Sequence, residues 1–473
     1  MKRVLVLVIA VVLAIGLIFV GCKPEAIVET VVEQVTEQVT ETVTETVTEQ
    51  VTETVVETVE ETVYPEHWFE VTKTLPDRYA GVTLNVITEN SKPFKDFIEV
   101  SKQFEEATGI NLEFDELPYG DHYDKMMLSF MAGDEQYDVH VGTYTWFYDM
   151  DPYMADLEEL ATMVPDAPAL PLDDYAQGVK DTYSNYNGRM IAIPIQCGIV
   201  FTTWNTEMYA ELGLPEEGPN TWEEIYEYGK LIQDPPDRYG FAMTGGNNIQ
   251  VQVLYVQLLN YFGGEYYDAD GYPLFDSAES VEAIRFMAEN LTEISPPDAN
   301  TWGWQQGFQG FASGQCGQGI QWDGGLGGYD DPGSSEIVGN WDFKPIPGGT
   351  ILGGWSKLVS ANSPNIEAAY LYVSWFSQRE VVHALALSPL GNPPSLTSVQ
   401  DDPTITADYP HVALMAESLE GAFGFPGPLF VPIELIMDAE CNAAIVGEIT
   451  PEEAAANIQS QVVELLQERG VIE

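Results

Sequence analysis

An α/β fold in about two domains, with mainly parallel sheets flanked by helices, is what the sequence predicts. Three observations carry that prediction. The chain has 473 residues, more than the roughly 100–200 of one ordinary domain. From Val82 onward, short β-branched runs alternate with helical patterns, the rhythm of parallel strands joined by crossover helices. Hydrophobic residues make up 45%, an ordinary share for a folded chain and too high for wholesale disorder.

Charge narrows the class. Lys and Arg number 18 against 75 Asp and Glu, a net charge of −57. Residues 80–473 alone hold 13 basic and 61 acidic residues, so the body itself is acidic. Such a surface reads as the solvated exterior of an exported protein, with steering of a cationic ligand as the rival. The basic face that nucleic acid requires is missing. Four Cys are too few for a disulfide framework.

The amino terminus carries an export signal over residues 1–22. Lys2 and Arg3 precede an apolar run from Val4 to Val20, which ends in Phe19-Val20-Gly21-Cys22. A basic start, a short apolar stretch and a small residue make a signal peptide. Cys22 directly after Gly21 resembles the bacterial lipobox, which implies acylation of Cys22, although Phe19 stands where that motif usually has an aliphatic residue. The rival is an uncleaved anchor. Residues 23–79 then form a low-complexity spacer, with Val at every fourth position from Val35 to Val63 among Thr and Glu. A four-residue repeat drifts about 40° per step around a helix and holds no straight apolar face. A solvated tether is expected here.

Strand patterns at Val82–Glu89, Ile110–Leu117 and Tyr137–Val141 frame helical patterns at Phe94–Thr108 and His122–Ala132, each helix stopped by a Gly. Ligands of parallel sheets sit beyond the carboxyl ends of the strands. Those ends are Glu89-Asn90-Ser91, Leu117-Pro118-Tyr119 and Gly142-Thr143-Tyr144-Thr145-Trp146. After Ile191–Ile195 a second unit opens. It contains a helix start at Asn220–Glu224, an apolar helix over Val251–Phe262, an ordinary turn at Asp268-Ala269-Asp270-Gly271, and a helix from about Ser277 to Thr292.

Short segments in a fixed order complete the pattern. Phe104–Ile110, Tyr137-Asp138-Val139, Met154–Leu157, Ile193-Pro194 and Thr221–Glu224 come first. Gly263-Gly264 with Asp270-Gly271, Gly307-Phe308 through Ala312–Gly314 to Gln321-Trp322-Asp323, Gly353-Gly354-Trp355, Asn362–Ala369 leading into the helix Tyr370–Ser377, and Thr450–Glu453 follow. Together they resemble the extracellular solute-binding proteins of ABC importers, specifically the family 1 carbohydrate binders. The resemblance implies a two-lobed, type II periplasmic-binding-protein-like fold. Lobe 1 would comprise 80–195 plus 352–388, and lobe 2 would comprise 196–351 plus 389–473. The chain would cross at about 195–200, 348–354 and near 388–394, with a ligand cleft between the lobes that closes like a hinge. It also implies a permease partner and a place on the extracellular or periplasmic face of the membrane.

A sugar offers an apolar C–H face and a rim of hydroxyls, which aromatic rings and planar hydrogen-bonding groups complement. Trp302, Trp304, Gln321, Trp322 and Asp323 combine both kinds on Gly-rich segments, and Trp322 falls where the resembled family places a stacking aromatic. Tyr119, Trp146, Gly354 and Trp355 stand at or near expected cleft-facing strand ends, as do Glu89 and Asn90. Core packing is the rival role of the aromatics, and Asp138 reads as structural.

Within those segments Lys92 is the only cation. An anionic solute would need more, so a neutral mono- or oligosaccharide is expected; a cationic solute such as a polyamine is the alternative. No hydrolase, metalloprotease or phosphate-loop motif is present, and the five His are scattered, so neither a cofactor nor a metal is implied. A secreted polysaccharide-degrading enzyme is the rival from another class. Cys197, Cys316 and Cys441 allow at most one bridge and read as free, Cys316 in a packed helical position.

Overall fold

Leu, Val and Ile side chains buried on both faces make Thr83–Glu89 a central strand, β1, as expected where helices cover a sheet from two sides. The computed structural model describes residues 66–473 apart from 134–135, 248–249, 389–391, 421 and 426. The export segment, Cys22 and the spacer up to residue 65 lie outside the described residues. Residues 66–79, expected to belong to the tether, instead pack on the body. The 3-10 helix Glu66–Thr74 receives a bond from Trp375 Nε1 to Thr72 Oγ1 (3.1 Å), and its Val71 N–H donates to Glu380 (2.8 Å).

The first sheet runs β2-β1-β3-β10-β6, with β2 at Asn111–Leu117, β3 at Val139–Gly142, β6 at Ala192–Gly198 and β10 at Gly353–Val359. A hairpin, β4 (Asn185–Tyr186) with β5 (Arg189–Met190), turns through Asn187 (φ 48) and Gly188 (φ 75), the left-handed pair that a two-residue loop demands. The second sheet is β8-β7-β9: β7 at Val200–Asn205, β8 at Gln318–Trp322 and β9 at Trp341–Pro345.

The first sheet is mainly parallel as expected, with β10 alone reversed, whereas the second sheet is antiparallel. β1 is parallel to β2 and β3, but β10 is antiparallel to β3 and β6, and β7 is antiparallel to both neighbours. The route of the chain gives the reason. β6 leads into β7 across the single residue Ile199, and β9 leads back into β10 through residues 346–352. A strand returning from the other sheet begins at the edge where β3 and β6 end, and so must run against them.

Helices cover the first sheet with apolar stripes. Phe94, Phe97, Val100 and Phe104 on Lys92–Thr108 are buried at helical spacing, and Gly109 (φ 71) ends that helix by donating to Glu105 O. Asp138 is structural as expected: it accepts from Asn85 N (2.8 Å) and Ser363 Oγ (2.5 Å). Asp268 closes the predicted turn, its Oδ1 accepting from Asp270 N and Tyr272 N. Cys197, Cys316 and Cys441 are free and buried. Cys316 is not helical; it follows the helix Trp304–Ala312 and bridges to Tyr239.

Candidate functional site

A cavity of about 350 Å³ opens where strand ends of both sheets meet. The first sheet contributes Glu89 from β1, Gln196 and Gly198 from β6, and Gly353, Gly354 and Trp355 from β10. Trp322 ends β8 of the second sheet, with Asp323, Gly324 and Gly325 following it. Tyr119 and Trp304, near the starts of their helices, complete the wall. Seven of the predicted residues therefore share one cavity: Glu89, Tyr119, Trp304, Trp322, Asp323, Gly354 and Trp355.

Trp355 is half-buried, held edge-on by Phe94 (5.1 Å), Trp146 (5.5 Å) and Tyr119 (5.9 Å). These T-shaped contacts fix the ring's plane. The Trp322 ring lies on bare backbone, since a Cβ at Gly353 would sit 2.4 Å from it. Gly354 has φ +106, and its Cβ would meet Gln196 O at 2.4 Å, so only glycine lets β6 and β10 approach here.

Asp323 ties the wall to the crossing between the sheets. Its carboxylate accepts from Ile199 N (3.2 Å) and Gly324 N (2.8 Å), and its own N–H donates to Ile199 O (2.9 Å). Burial raises its pKa well above the usual range, against the effect of those N–H groups. Burial likewise lifts Glu89 to about 7, with a bond from Ser91 opposing. The Tyr119 hydroxyl is raised well above the usual phenol value, first by burial and then by the negative charges of Glu434 and Glu89.

Four predicted residues do not reach the wall. Trp146 is fully buried beneath it, against Tyr119, His122 and Trp355, because the chain turns after β3 into the 3-10 helix Tyr144–Trp146. Trp302 fills the space at Gly310, where a Cβ would come within 2.5 Å of its ring. Asn90 is exposed and only extends the ladder, its N–H donating to Leu117 O. Gln321 is buried as a support: it accepts from Trp304 Nε1 (2.6 Å) and Trp322 N (2.9 Å) and donates to Tyr329 Oη (3.1 Å).

Other lining residues were not singled out, although Tyr144 stands in the loop expected at the ligand-side end of β3. Tyr144 accepts from Phe425 N (3.1 Å) and donates to Leu352 O (3.2 Å). Gln252 on the helix Gln250–Tyr261 and Phe430 and Glu434 on the helix Phe430–Ile445 enter from the C-terminal side. A signal for two of them existed: Gln252 interrupts an apolar helix, and Glu434 with Asp438 puts two carboxylates four residues apart on another. Polar groups on a buried helical face ask for partners.

Residues 88–382 match the family described as bacterial extracellular solute-binding protein. A periplasmic-binding protein of Sinorhizobium fredii, named for a probable amino-acid ABC transporter, is 32% identical over 85% of this chain and 94% of its own length. An erythritol/L-threitol-binding protein of Mycolicibacterium smegmatis is 24% identical over 77% of this chain and 81% of its own. Among solved structures, an ABC transporter solute-binding protein of Agrobacterium radiobacter in complex with ribitol superposes with a TM-score of 0.75 at 25% identity, covering 82% of this chain and 99% of that one. The extent of these matches, and a cavity framed by strand ends of two sheets, make the chain a member of the bacterial extracellular solute-binding proteins, the binding components of ABC transporters.

Proposed function

We propose that the protein captures a neutral sugar or polyol of one or a few units and hands it to a membrane permease, without catalysis. One observation carries this reading. A single cavity gathers Trp304, Trp322, Trp355 and Tyr119 with carboxylates, and its described lining includes no Lys or Arg. Rings complement C–H faces and carboxylates accept from hydroxyls. The α-carboxylate of an amino acid would lack a cationic partner there, so the cavity speaks against the solute named for the Sinorhizobium relative. The erythritol/threitol and ribitol binders among the relatives support polyhydroxylated solutes. A volume of about 350 Å³ is at the small end of ligand pockets, about 300–1,000 Å³.

Lobe 1 is assigned to 80–195 with 352–388 and lobe 2 to 196–351 with 389–473, closing about Ile199 and residues 346–352. Acylated Cys22 would hold the protein at the outer face of the membrane.

A thermal-shift screen of monosaccharides, short oligosaccharides, polyols and polyamines tests the assignment. A matching sugar or polyol at a hundredfold excess over Kd is expected to stabilise the protein by about 2.7 kcal/mol and to be recovered unaltered. Trp322→Ala is expected to weaken binding at least tenfold, about 1.4 kcal/mol. Shifts by polyamines alone, or release of reducing ends from a glycan, would overturn the reading.

A further inference from the structure

The cavity's C-terminal wall holds two polar atoms that the protein itself does not satisfy. Gln252 and Glu434 both line the cavity, at 3% and 2% exposure. Gln252 Nε2 donates to Glu434 Oε1 at 2.9 Å. That bond fixes which end of the Gln252 amide carries the oxygen. It leaves Gln252 Oε1 and Glu434 Oε2 buried, with no hydrogen-bond partner. The Gln252 backbone N–H is anchored to Asp438 Oδ1 (3.0 Å), so the two helices that present these atoms are locked together at the site. Two buried oxygens without partners cost free energy. Burial and the nearby charge of Asp438 hold the Glu434 pKa well above the usual carboxylate range, and hydroxyl donors from a solute would stabilise its charged, accepting form.

We infer that Glu434 and Gln252 form a specificity-determining acceptor pair, which takes two neighbouring hydroxyl donors of the solute and rejects solutes that present an anion at that position. This deepens the proposed function and rests on it. The pair answers a need that the aromatic rings cannot meet, because stacking recognises a C–H face but does not count hydroxyls. A site built to receive hydrogen bonds penalises an analogue that lacks them more strongly than an apolar pocket does.

The test is calorimetric titration of the wild type and Glu434→Gln with mannitol, ribitol, glucose and maltose, and with glucuronate and gluconate as anionic counterparts. Glu434→Gln keeps an oxygen to accept from Gln252 and replaces the free acceptor by an amide N–H. The expected result is at least tenfold weaker binding of the neutral solute, with discrimination against the acid reduced at least tenfold. A merely structural role would not move that ratio. Binding within twofold of the wild type, or an unchanged ratio, overturns the inference while leaving the proposed function standing. If the wild type binds none of the neutral solutes, both fall. If Glu434→Gln shows no cooperative melting transition, Gln252→Met, which deletes the neighbouring acceptor, is titrated in its place with the same two outcomes.

Discussion

Gly354 sets the closest approach in the cavity wall. With φ +106 and Gln196 O 2.4 Å from where a Cβ would stand, Gly354→Ala meets both backbone strain and a clash with main chain. It is expected to destabilise the protein by about 2–4 kcal/mol, read as a lower urea midpoint, and to weaken solute binding because Trp355 follows directly. A midpoint within error of the wild type would show that β6 and β10 can separate freely. At this scale the sequence reveals residues whose chemistry is local. Glu89, Tyr119 and Trp355 could be placed because they stand at or beside strand ends, which alternation exposes. Trp302 and Trp146 could not, since the same indole serves core and cleft, and the space at Gly310 that claims Trp302 is a tertiary fact. Glu434 was missed for the converse reason: its partner Gln252 is far away in the chain, and only folding brings them to 2.9 Å.

Helices and strands obey shorter rules. Thr450 Oγ1 accepts from Glu453 N (3.2 Å) while Glu453 Oε2 accepts from Thr450 N (2.9 Å), a capping box at the start of Pro451–Glu468. Thr450→Ala is expected to cost about 1 kcal/mol of stability with the solute Kd unchanged, since this helix does not line the cavity; equilibrium unfolding and titration of one preparation check both. Such caps are readable because their partners lie three residues apart, and so are the Gly stops of the early helices. Pairing direction is not. The β-branched and aromatic residues of β7 suit a strand, yet nothing in Val200–Asn205 says that both neighbours run against it; that depends on where the chain re-enters from the other sheet.

For the molecule as a whole, acid tolerance reflects opposing buried groups. His122 and His140 are lowered to about 3 by burial, so between pH 6.5 and 3 the unfolded chain binds protons that the folded one does not. Each then removes up to about 1.4 kcal/mol of stability per unit as pH falls. Glu89, lifted to about 7, acts in the other sense: the folded state takes up its proton first, and stability rises as pH falls from 7 to 4.5. The one carboxyl offsets one of the two imidazoles, so the net loss is about halved until the carboxylate contribution is exhausted. Urea unfolding across pH 7.5–3.5 is expected to show a loss from about pH 6.5 to 4.5 that is about half as steep as the loss below it. In Glu89→Gln the full slope should begin near pH 6.5; identical profiles would mean that the carboxyl titrates as in water.

The central place of β10 has a consequence for biogenesis. Its neighbours β3 and β6 are made long before it, so a nascent chain carries a sheet with a vacant slot, bordered by two unsatisfied strand edges, until Val359 has emerged. Open edges of that kind invite pairing with other chains.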